Sequence, residues 1–105
     1  MLKHIVFFRL KDPAQTQALI DHAELLLKPI PTVRGFSIGT PADTPVRDVV
    51  QRDYHVGMVV TFDDVAGHDV YGPHPKHDEF VALHKDDWED VRVFDVEVPD
   101  VEGSD

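Results

Sequence analysis

The chain has 105 residues, 42% of them hydrophobic, which leaves room for one domain with one core. It contains no cysteine, so disulfides, thiolate nucleophiles and cysteine-ligated metals are excluded. A formal net charge of −10 opposes nucleic acid and anionic membrane surfaces, and neither is expected as a partner.

Leu2 to Leu10 is rich in β-branched and aromatic residues and predicts a strand. Leu2, His4, Val6, Phe8 and Leu10 share one face, and Lys3, Ile5, Phe7 and Arg9 the other. Both faces carry apolar groups. Helices of a lone α+β domain cover only one side of its sheet, so the second apolar face points to a homodimer. The same opening segment does not read as a signal peptide, because Arg9 interrupts a short apolar run. No stretch approaches the ~20 apolar residues that span a bilayer, and a cytoplasmic location is expected.

Asp12 and Pro13 are suited to starting a helix, the first as a cap and the second at the first helical position. The helix is predicted over Ala14 to Lys28, with Leu19, Ala23, Leu26 and Ile30 as its buried stripe, and Pro29 and Pro31 end it. Val33 to Gly39 predicts a second strand. Thr40 to Asp53, with two prolines and several charges, predicts a long surface loop. Tyr54 to Phe62 alternates most clearly and predicts a third strand. Asp63 or Asp64 caps a short helix to about Tyr71, and Gly72-Pro73-His74-Pro75 breaks it. A further helix is expected from Lys76 to Asp87, with Phe80 and Leu83 facing inward. Val91 to Val98 is the expected last strand. One domain over residues 1–99 and a polar tail over residues 100–105 complete the reading. The order strand, helix, strand, strand, helix pair, strand is the ferredoxin-like α+β pattern, an antiparallel sheet with helices on one face. Two such sheets packed face to face would close a dimeric α+β barrel.

Several stretches carry a family resemblance. They are Lys3-His4-Ile5-Val6-Phe7-Phe8-Arg9-Leu10-Lys11, Tyr54 to Phe62, Val93-Phe94-Asp95 and, most specific, Tyr71-Gly72-Pro73-His74-Pro75-Lys76-His77 followed by Phe80. In order and spacing the chain resembles the stress-responsive α/β-barrel (Dabb) family, to about Pro99. The resemblance implies a dimeric α+β barrel. The family includes plant stress proteins and a polyketide-cyclising enzyme, and fold alone does not settle function.

By resemblance to the cyclising member, Tyr71 and His77 are the candidate catalytic pair. His4, together with Val6 and Phe8 on its strand face, Phe80 and Trp88, would line the substrate pocket. Gly72-Pro73 stands where that enzyme has two bulky aliphatics, so its substrate is not implied. A histidine can take a proton from carbon beside a carbonyl, and a tyrosine hydroxyl can donate to the developing oxyanion. The expected ligand is a small apolar carbonyl compound, and the expected chemistry cyclase- or isomerase-like. The plainer alternatives are structural. His77 caps a helix or binds His4, the Tyr71 hydroxyl reaches a carbonyl, and Phe80 and Trp88 only fill the core.

Seven histidines invite a metal reading. His74 and His77 are three apart, but no His-Glu-x-x-His motif or third ligand accompanies them, so neither a metal nor another cofactor is expected. Ser37 and Ser104 lack a nucleophile-elbow context, and no glycine-rich phosphate loop is present. A non-catalytic stress-response protein and a haem-dependent oxygenase remain as alternative functions.

Overall fold

The computed structural model describes residues 1–99; the expected tail over residues 100–105 lies outside the described residues. The elements are β1 (Leu2–Leu10), α1 (Thr16–Leu26), β2 (Gly35–Gly39), β3 (Val56–Phe62), α2 (Val65–Tyr71), α3 (Pro75–His84) and β4 (Trp88–Glu97). Short 3-10 turns at Pro13–Gln15 and Lys85–Asp87 precede α1 and β4. The strands form one four-stranded sheet in the order β2-β3-β1-β4, with every neighbouring pair antiparallel. The helices lie against one face. This is the expected ferredoxin-like α+β architecture.

Alternation fixes which side chains meet the helices. Leu2, Val6, Phe8 and Leu10 of β1 are buried there, beside Val56, Met58, Val60 and Phe62 of β3. Leu19, Ala23, Leu26, Leu27 and Ile30 cover them from the α1 side, and Tyr71 and Phe80 from α2 and α3. Each fully buried side chain of this size contributes about 1.5–3 kcal/mol. On the opposite face no helix among the described residues covers Ile5, Phe7, Phe94 and Val96, and Phe94 is 52% exposed.

Element ends depart from expectation for local reasons. Asp12 does cap, its Oδ1 accepting from Ala14 N at 3.0 Å, but the turn it caps is 3-10, and α1 starts only at Thr16. β3 begins at Val56 rather than Tyr54. The sheet edge there is continued by a side chain, His55 Nδ1, which accepts from Leu10 N at 2.9 Å. β4 begins at Trp88, three residues before its expected start, and a register irregularity against Arg9 and Leu10 accommodates it. Leu83 is a correction: it is 51% exposed, not inward. The inward positions of α3 include Phe80 and His84, and the buried imidazole of His84 takes the place that an apolarity pattern assigned to leucine.

Candidate functional site

A cavity of about 320 Å³ lies between the sheet and the helices. His4, Val6 and Phe8 of β1, Met58 of β3 and Val91 and Val93 of β4 form its sheet side. Tyr71, His77, Phe80 and Val81 close it from the helices, with Leu27, His68 and Trp88 at its margins. All seven site residues expected from sequence line this one space. Five of them also touch the core: Val6, Phe8, Tyr71 and Phe80 are buried, and Trp88 packs on Phe8 and Phe80 with ring centroids 5.5 and 6.3 Å away.

The turn between α2 and α3 brings Tyr71 and His77 together. His74 N donates to Tyr71 O at 3.2 Å, and His74 Nδ1 accepts from Lys76 N at 3.1 Å, capping α3. Pro75 occupies the first position of α3, where its fixed φ suits a helix start. His77 therefore falls in the first turn of α3, and its ring meets the Tyr71 ring edge to face, centroids 4.8 Å apart. The capping histidine is His74, not His77, and no hydrogen bond joins His77 to His4 among the described residues.

The Tyr71 side chain is 2% exposed, and its hydroxyl has no hydrogen-bond partner among the described residues. Burial pushes its pKa up, so it stays a protonated donor. The Trp88 indole nitrogen is likewise buried and unpartnered. Each of these buried donors, on residues that line the cavity, is left unsatisfied at a cost of about 1–3 kcal/mol unless an acceptor reaches it. Burial also lowers the pKa of His77; the Asp78 carboxylate opposes this, and positive charge on His4 or His68 reinforces it. The net direction keeps the imidazole neutral and able to accept a proton near neutral pH.

His4 has a partner that the sequence did not reveal. Its Nδ1 lies 2.6 Å from Asp95 Oδ1, and the carboxylate fixes the ring. The antiparallel register pairs His4 with Asp95 on the helix-facing side of the sheet. The His4 ring lies 5.9 Å from Tyr71 and 5.2 Å from His68. His68 is a second residue missed. It precedes Tyr71 by one helical step of three, the spacing that puts two side chains on one face, so the signal was present. His74 and His77 are joined by no third ligand-type side chain; the one such group among the described residues is His4, His68 and Asp95.

The Stress responsive A/B Barrel Domain family model matches residues 2–98. A stress-response A/B barrel domain-containing protein of Arabidopsis thaliana is 26% identical over 102 residues, covering 97% of this chain and 90% of the relative. Among solved structures, a dimeric ferredoxin-like protein of unknown function from Thermobifida fusca superposes with a TM-score of 0.76 at 22% identity, covering 92% of this chain and 90% of that one. A hydroxynitrile lyase from Passiflora edulis gives 0.77 at 22% identity, covering 96% and 95%. These two structural likenesses are of fold. The family match over residues 2–98, on a ferredoxin-like sheet, makes this chain a member of the stress-responsive A/B barrel domain family.

Proposed function

We propose that this chain works as a homodimeric barrel that binds a small apolar carbonyl compound in the cavity and acts on it by cyclase- or isomerase-like acid/base chemistry. The carrying observation is the Tyr71 hydroxyl, buried and unpartnered on an apolar cavity, with the His77 ring 4.8 Å from its own ring. A carbonyl oxygen in the cavity satisfies that hydroxyl. As the neutral His77 imidazole takes a proton from the adjacent carbon, negative charge grows on the oxygen, and the Tyr71 O–H meets it. The donor is in place before the reaction, so no solvent has to reorganise around the new charge. Trp88 Nε1 offers a second donor, which favours a ligand with two acceptor oxygens. His4, held by Asp95, orients the ligand from the sheet side.

The likeness to a hydroxynitrile lyase supports an enzyme on this fold, and the apolar helixless face of the sheet supports a second copy as its cover. A second reading, a non-catalytic stress-response binder, is favoured by the cavity lining being mostly aliphatic and aromatic. Exchange of the α-hydrogens of an alkyl aryl ketone into D₂O, followed by proton NMR, separates the two. Wild-type protein accelerates exchange, and His77→Ala and Tyr71→Phe lose the acceleration. Exchange at the buffer rate with wild type, or undiminished exchange in both variants, ends the acid/base reading.

A further inference from the structure

At the edge of the cavity, two of its lining histidines join a carboxylate in a second cluster of polar side chains that the acid/base pair does not require. His4 from β1, His68 from α2 and Asp95 from β4 each offer one ligand-type atom, and these atoms all lie within 4.8 Å of one another. We propose that the three side chains bind one divalent first-row transition ion, with its remaining coordination positions open to the cavity.

The donor set selects the ion class. Two imidazoles and one carboxylate suit Zn²⁺, Fe²⁺, Co²⁺ or Ni²⁺, whereas Mg²⁺ and Ca²⁺ take oxygen ligands. The spacing is close to what one ion needs. Donors at about 2.1 Å from a tetrahedral ion sit roughly 3.4 Å apart. The His4–Asp95 contact of 2.6 Å must open a little and the widest pair, at most 4.8 Å, must close. Asp95 is on an edge strand with its side chain 42% exposed, and rotation about its own bonds supplies that adjustment.

Orientation adds to the case. His68 Nδ1 lies 3.2 Å from Asp69 Oδ1. With Nδ1–H donating to that carboxylate, Nε2 keeps its lone pair, the arrangement by which outer carboxylates commonly orient metal-binding histidines. The cluster also faces a space built for a ligand. His4 and His68 line the cavity, and the nine-tenths-buried hydroxyl of Tyr71, whose ring lies 5.9 Å from that of His4, has no partner of its own among the described residues. An oxygen bound to the ion, from water or from a cavity ligand, has a donor in Tyr71. The inference is independent of the proton-transfer role of His77 and stands if that role fails.

The test is titration of the chelator-treated full chain with Co²⁺, read by its visible ligand-field absorption, and with Zn²⁺, read by calorimetry. One ion per chain is expected. His68→Ala and Asp95→Asn weaken it by more than about tenfold, the least effect expected when even an outer partner of a ligand is removed. Asp95 is exposed, so its variant tests the site without threatening the fold, and circular dichroism checks both variants. His22→Ala, remote from the cluster, binds as wild type. Absence of Co²⁺ absorption and Zn²⁺ heat with wild type, unchanged affinity in both folded variants, or loss of binding in His22→Ala overturns the proposal.

Discussion

His22 Nδ1 and His84 Nε2 lie 2.7 Å apart where α1 packs on α3, joining two helices through a pair of imidazoles. One nitrogen must carry the shared hydrogen and the other must accept it, so the contact requires at least one neutral ring. Burial lowers the His84 pKa; the Asp87 carboxylate, 3.3 Å away, opposes this, and positive charge on His22 reinforces it. The unfolded chain therefore binds a proton at this position more readily than the folded one. Stability from this contact is complete above about pH 6.5, the ordinary histidine value, and declines as pH falls below it. Thermal unfolding followed by circular dichroism from neutral to mildly acid pH should show a falling midpoint. A shallower fall in His84→Asn identifies the pair as its source.

Tyr71→Phe separates function from stability. The hydroxyl has no partner among the described residues, so its removal relieves a buried unsatisfied donor, and the unfolding free energy should rise by about 1–3 kcal/mol. The ketone exchange rate should fall by about 10²–10³, the usual effect of removing one preorganised oxyanion donor. A large stability loss in urea unfolding with an intact exchange rate would instead make the hydroxyl structural.

Gly72 is one of the residues that line the cavity. It has a helical backbone, and a Cβ built there meets nothing within 4 Å beyond its two chain neighbours. Gly72→Leu should fold with somewhat lowered stability, because Gly72 is helical directly before Pro73, where a side chain meets the proline ring. Its side chain fills space that a ligand otherwise occupies. In a binding series of ketones of increasing bulk, the largest should lose affinity first, while the smallest bind as they do to wild type.

Phe94 reports on the second copy. It lies on the helixless face, and its ring meets Phe7 with centroids 6.2 Å apart. Phe94→Asp places a charge in what the proposed dimer buries and should shift sedimentation from two chains to one at micromolar concentration. A wild-type monomer under the same conditions would remove the dimer from the proposal.

The cavity shows why some site residues were legible and others were not. Tyr71 and His77 stand on either side of a proline-bounded turn, and local chain geometry carries their meeting. His4 came from the family resemblance, and alternation along one strand puts Val6 and Phe8 on its face. Asp95 is different: it ends the Val93-Phe94-Asp95 stretch of the family resemblance, but no local pattern gives it a partner, and it reaches His4 only because β4 pairs with β1 in one register. Leu83 lost its expected inward place for a related reason, and His84 holds an inward position instead. Apolarity ranks leucine inward, but His84 is held inside by His22 on another helix.

Alternating and helical patterns of side chains were enough to determine the order of elements and the sheet with helices on one face, while the family resemblance supplied the groups expected to line the cavity. Those patterns report local periodicity, which is how a strand or a helix sorts its own residues between water and core. The tertiary structure alone decided which polar groups face one another: the Tyr71 hydroxyl without a partner among the described residues, the His4–Asp95 pair and the nearby His68. Strand register and helix docking set those encounters at distances of a few ångströms, and no pattern along a single segment records them.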